Sequence, residues 1–93
     1  MLEFEWDEIK NKNNIKKHGI SFEEAASVFQ DDESLVIYDD EHSDEEDRFV
    51  LIGFSIKANL LVVCHCYRNS DLTIRIISAR KADKVEKEQY CKK

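Results

Sequence analysis

Leu2, Phe4 and Trp6 alternate with Glu3 and Glu5, a period of two that predicts a short, half-buried strand. The period then lengthens. Asp7 offers an N-cap, Ile9 and Ile15 recur among lysines and asparagines, and His18-Gly19 makes a C-cap, so residues 7–17 are expected to form a weakly amphipathic helix. Ser21 and Glu24 have capping-box spacing, and Phe22, Ala25, Ala26, Val28 and Phe29 supply the apolar stripe of a second, shorter helix. Residues 35–38 read as a short strand and 39–47 as an acidic loop too polar to pack. β-Rich runs then cover residues 48–56, 60–68 and 72–78. They are parted by Lys57-Ala58-Asn59 and Asn69-Ser70-Asp71, separators of hairpin length that predict an antiparallel meander. Residues 79–92 close the chain as a helix with Ala82, Val85 and Tyr90 toward the sheet. The order βααβ followed by βββα predicts an α+β fold. Its antiparallel sheet would carry the helices on one face and leave the other open to a ligand.

Length and charge narrow the picture. At 93 residues and 10.9 kDa the chain can close one small core, so a single domain over residues 1–93 is expected. No apolar run reaches the ~18 residues needed to cross a bilayer. The amino terminus has acids where a secretory signal needs positive charge, which places the chain in the cytoplasm without a membrane partner. The three cysteines are odd in number and Cys64 and Cys66 are too close to bridge within a strand, so no disulfide scaffold is expected. Only Gly19 and Gly53 are glycines, too few for a phosphate-cradling loop. The net charge of -6 is unevenly spread: residues 31–56 carry ten acids and one base, residues 57–93 nine bases and four acids. Screening over ~10 Å lets such a basic part bind a polyanion despite the overall sign. The acidic segment 31–47 is expected to face away from any such polyanion and to suit a basic partner instead.

Candidate chemistry gathers in the last strand. Strict alternation puts Arg75 on one face with Thr73 and Ile77, and Ser78 on the other with Ile74 and Ile76. The Arg75 guanidinium suits either a phosphate or a structural carboxylate partner. Arg80, placed just past the strand, could bind an anion together with Ser78 and the first amides of the final helix, or simply be solvated there. Arg48 follows Glu45, Glu46 and Asp47, an arrangement that favours a local ion pair. His18, after Lys16 and Lys17, is a candidate acid or base and equally a helix C-cap. His42 reads as solvated. Cys64-His65-Cys66 has no second ligand pair and its cysteines share one strand face, so a metal site is not expected.

Several blocks of this chain together resemble the BrnT toxin family. They are Phe4-Glu5-Trp6-Asp7, the stretch from Asn14-Ile15-Lys16-Lys17-His18-Gly19 to Ala25, Val28-Phe29, Asp47-Arg48-Phe49 with Ile52-Gly53, and Arg75-Ile76-Ile77-Ser78-Ala79-Arg80-Lys81-Ala82 with Glu86 and Tyr90. The resemblance implies a RelE-like fold and a ribonuclease that cleaves RNA and arrests translation without metal or other cofactor. It also implies a BrnA-type antitoxin partner, through which alone operator DNA is reached. Metal-free cleavage by a ribose 2′-hydroxyl needs cations for the extra phosphate charge and groups that move protons. On that footing Arg75 and Arg80 are assigned to transition-state charge, Ser78 and Lys17 to phosphate positioning, His18 to proton transfer, and Arg48 to substrate binding. The alternative is a non-catalytic interaction module, partner and co-repressor of a DNA-binding antitoxin.

Overall fold

The Asp7 carboxylate accepts the amides of Ile9 and Lys10 at 2.8 and 3.4 Å and so starts α1 (Glu8–His18). Gly19, at φ 71°, ends it by donating its N–H to the Ile15 carbonyl, a left-handed cap that glycine adopts without strain. These details come from a computed structural model that describes residues 2–92; Met1 and Lys93, the ends of the expected 1–93 domain, lie outside the described residues. Ser21 Oγ accepts the Glu24 amide at 3.1 Å to begin α2 (Phe22–Ser27), which passes into a 3₁₀ turn, Val28–Gln30. The box is not reciprocal, because the buried Glu24 carboxylate instead accepts Ser55 Oγ at 2.6 Å and Asn59 Nδ2 at 2.8 Å, clamping a distant hairpin turn.

Five strands form one sheet: β1 (Glu3–Glu5), β2 (Leu35–Tyr38), β3 (Phe49–Phe54), β4 (Leu60–Arg68) and β5 (Thr73–Lys81), in the order β1-β5-β4-β3-β2. The meander from β3 to β5 is antiparallel as expected, and β2 joins it antiparallel. β1 instead runs parallel to β5, with Phe4 opposite Ile74, which makes the sheet mixed. Alternation in a three-residue strand fixes which side faces inward but carries no direction. β5 also runs three residues beyond the expected end, because Val62 and Leu61 of the long β4 pair with Arg80 and Lys81. The final helix, α3 (Lys84–Lys92), therefore starts only where Asp83 caps it.

Register divides the side chains between two faces. Leu51, Leu61, Val63, Ile74, Ile76 and Ala79 meet Ile20, Phe22, Ala25 and Val28 of the helical segment in the main core. On the opposite face Ile52, Val62 and Ala82 form a smaller cluster, covered by Tyr90 of α3. Helices thus lie on both faces rather than one. Ala82 follows a strand that ends on the second side, and the apolar patch there needs a cover. Opposite the consecutive Cys64 and His65, β5 offers Ser78 and Ile76, so Ile77 is an extra residue in a β-bulge. Strict alternation from Arg75 would turn Ser78 toward the core. The bulge absorbs one position and keeps Ser78 and Arg80 on the face of Arg75.

α1 docks through amides, not through the expected apolar positions. Ile9 and Ile15 are 71% and 45% exposed, whereas Asn11 and Asn14 are buried. Asn14 grips β5, its Nδ2 donating to the Ala79 carbonyl at 2.8 Å and its Oδ1 accepting the Ala79 N–H at 3.1 Å. Asn11 Oδ1 accepts the Phe22 N–H at 2.8 Å, joining α1 to α2. Gly53 permits a close approach: a Cβ there would stand 2.9 Å from Val28 Cγ1 and 3.0 Å from Ser34 Cβ.

Candidate active site

On the second face, the part that α3 leaves uncovered is a cleft of about 340 Å³. Its floor is Val50, Val62 and Ile77, and its polar lining is Asp39, His42, Arg48, Cys64, Ser78 and Arg80. Strand pairing explains the convergence, since Cys64 lies opposite Ser78 and Val62 opposite Arg80 on adjacent strands. Asp39 and His42 come from the β2–β3 loop, which folds over the sheet edge. A larger hollow of about 480 Å³ is lined by Glu46, Asp47 and Asp71, three acids that would repel a phosphate.

The six residues singled out in the sequence are only partly united. Arg48, Ser78 and Arg80 share the cleft. Arg75 lies on the same face but outside the lining, with Nη1 on Glu5 Oε2 at 2.8 Å, the structural pairing rather than a free cation. Lys17 and His18, at the end of α1, are also outside the lining. Arg80 is not at a helix start but inside β5. Its fork meets Glu86 of α3, Nη1 to Oε1 at 2.7 Å and Nη2 to Oε2 at 2.6 Å. The helix start expected to receive an anion is already occupied, since Asp83 Oδ1 accepts the Glu86 N–H and Glu86 Oε1 the Asp83 N–H. Arg48 forms no ion pair among the described residues, and its neighbour Glu46 pairs with Arg68 instead. The acidic loop does not turn wholly away from the cationic face, because Asp39 and His42 border the cleft.

Burial and neighbouring charges shift two groups in and beside the cleft. Burial, then the charge of Asp39, pushes the Cys64 thiol up, with Arg48 and a Ser78 hydrogen bond opposing, so the thiol stays protonated near neutrality and is a poor nucleophile. Hydrogen bonding to Arg80 holds the Glu86 carboxyl below its ordinary value of 4.5. A carboxyl with a lowered folded pKa stabilises the protein fully above its unfolded value, and that contribution is lost as pH falls through the folded value. A Glu86→Gln variant is therefore expected to melt below wild type at pH 7, and the gap should close as the pH is taken below 4; a gap independent of pH would contradict this.

Sequence reasoning passed over Glu86 as the clamp on Arg80, and Asp39 and His42 as cleft residues. Their signals were local: Asp83 and Glu86 have capping spacing, and Asp39 and His42 stand three apart, within reach on one helical turn. Alternation holds along Cys64-His65-Cys66, the buried His65 facing the core side and the cysteines the other, with Cys66 buried and Cys64 half-buried in the cleft wall. No group of three or more His, Cys, Asp or Glu side chains among the described residues is placed to hold a metal ion.

A compact α+β domain with an arginine-lined cleft on its sheet accords with what family comparison shows: a family model described as a ribonuclease toxin of type II toxin-antitoxin systems matches residues 6–86. That family is BrnT, and the chain belongs to it. Among solved structures, the crystal structure of the Brucella abortus ribonuclease toxin BrnT is similar in fold, with a TM-score of 0.68 and 23% sequence identity over 90% of this chain and 100% of that one. Comparison with curated proteins gives no match. As a type II toxin the chain is expected to have an antitoxin partner. No helix among the described residues is long and apolar enough to cross a membrane.

Proposed function

We propose that this toxin, acting as one RelE-like domain over residues 1–93, is a metal-independent endoribonuclease whose active site is the cleft between the β2–β3 loop and β5. In this reading it arrests translation by cutting RNA and is neutralised by a BrnA-type antitoxin, which alone touches operator DNA. The observation that carries the reading is the meeting of Arg48, Ser78 and Arg80 in one cleft, with Arg48 in no ion pair among the described residues.

The chemistry asked of these residues is modest. When a ribose 2′-oxygen attacks the adjacent phosphorus, the phosphate oxygens gain charge, and fixed guanidinium donors stabilise that charge more than they stabilise the ground state. Arg80 is preorganised by Glu86 and Arg48 faces it across the same hollow. Ser78 supplies a hydroxyl donor to orient the phosphate. Arg75, on the same face of β5, would add to that charge, Lys17 at the end of α1 would help position the phosphate, and His18 beside it is the proton-transfer candidate that the family resemblance implies.

The test is cleavage of labelled RNA by the purified protein in EDTA. Products ending in a 2′,3′-cyclic phosphate and a 5′-hydroxyl are expected. An inert protein that nevertheless binds an antitoxin would favour the non-catalytic interaction module.

A further inference from the structure

We infer that His42, held by Asp39, is the proton-transfer group of the cleft. The inference rests on the ribonuclease reading above and moves its proton-transfer role from His18 to a residue inside the cleft. Of the three histidines in the chain, His65 is fully buried, with Nδ1 on the Val63 carbonyl and Nε2 near Tyr67 Oη, and has no path to a substrate. His18 does not line the cleft. His42 does, and its side chain is 61% exposed, so a ligand in the cleft can reach it.

The geometry is that of an oriented imidazole. His42 Nδ1 lies 2.9 and 3.1 Å from the two Asp39 carboxylate oxygens. With the Nδ1–H donating a hydrogen bond to that carboxylate, the neutral ring keeps its lone pair on Nε2, the state a general base needs. The dyad is not on a loose tether. The Asp39 N–H donates to the Arg48 carbonyl at 2.9 Å, Ser43 Oγ donates to the Asp39 carbonyl, and the Arg48 N–H donates to Ser43 Oγ at 3.0 Å. Those three bonds close the neck of the loop, and so tie the base to the backbone of the arginine that would hold the phosphate.

In the step assigned to it, Nε2 takes the proton of the ribose 2′-hydroxyl as the 2′-oxygen forms its bond to phosphorus. The bond from phosphorus to the 5′-oxygen breaks, and the departing oxygen takes a proton from the imidazolium or from water. The products are a 2′,3′-cyclic phosphate and a 5′-hydroxyl, with no net redox change. Asp39 is a positioning residue: it sets the tautomer and offsets the imidazolium charge.

The test is the pH profile of single-turnover RNA cleavage. Ionisable groups facing His42 are Asp39, Glu41, Asp44, Glu45 and Glu46 of its own segment and Arg48, Arg80 and Cys64 of the sheet. None of these is a histidine, the residue type that ordinarily changes charge between about pH 5 and 8. Wild type is expected to gain rate with rising pH over that range. His42→Gln should lose about 100-fold or more in rate together with that pH limb, and imidazole added to His42→Ala should restore part of it. Asp39→Asn should slow cleavage while keeping a shifted limb. Circular dichroism should show the two His42 variants folded, as the His42 side chain is largely outside the core. If His42→Gln keeps the wild-type rate and limb, or if His18→Gln is what removes the limb, the inference is overturned while the ribonuclease reading stands. A wild type that does not cut RNA overturns both.

Discussion

Arg80→Ala is expected to slow RNA cleavage by about 100- to 1,000-fold, or about 3–4 kcal/mol, the cost typical of deleting one preorganised donor to a developing oxyanion. The guanidinium has five N–H donors, and three are already engaged, two on Glu86 and one on the Lys81 carbonyl at 3.3 Å. Those bonds fix its plane, and the remaining donors can meet a phosphate without reorganisation. Arg80→Lys keeps the charge but cannot both grip Glu86 at two points and donate to phosphate, so it should recover only a minor part of the rate. The loss must be separated from misfolding, because Arg80 also tethers α3. Glu86→Gln breaks the ion pair but leaves the arginine, and should cost far less activity than Arg80→Ala at equal helix content by circular dichroism. If Arg80→Ala cleaves within a few-fold of wild type and arrests growth at equal expression, the arginine is only a tether for α3.

The largest loss of stability outside the main apolar core is expected at Asn14. Its amide makes three buried bonds: two to the Ala79 peptide and one, at 2.9 Å, to the Ile20 carbonyl. Alanine would strand the Ala79 N–H and two carbonyls away from water, at a cost of about 1–3 kcal/mol per unsatisfied group. Because the losses overlap, about 3 kcal/mol in all is expected, which for a domain of this size lowers Tm by roughly 10–20 °C. Ile15→Ala, one residue on and exposed, should change stability by less than about 0.5 kcal/mol. Thermal melts of the two variants decide between docking by amides and docking by apolar contact; the opposite ranking would show that α1 is held by its isoleucines. Asn14 also holds β5 at the residue just before Arg80, so its loss should reduce cleavage even in protein that remains folded.

The α+β class, the three helices and the strands of the meander followed from the chain itself, because caps, hairpin separators and alternation are local rules and act within a few residues. Asp7, Gly19 and Ser21 do in the structure what their positions in the sequence require. The family resemblance was legible for the same reason, being carried by contiguous blocks. Tertiary structure decided what local rules cannot carry. A three-residue strand has no direction until β5 is there to pair with it. The inward face of α1 differs from the expected one because Asn14 satisfies a peptide of β5 and Asn11 one of α2, and no propensity records that an amide will find a peptide 65 residues away. Ile77 became a bulge only when β4 imposed its register, and that single extra residue put Ser78 and Arg80 on the face where Arg48 and His42 also stand. Side-chain identity is written along the chain, but convergence depends on pairing between segments far apart in it. Arg48 and Arg80 could therefore be named from sequence, whereas the cleft they line, the pairing of Arg75 with Glu5 outside it, the carboxylate that holds Arg80 and the histidine beside them required the folded sheet.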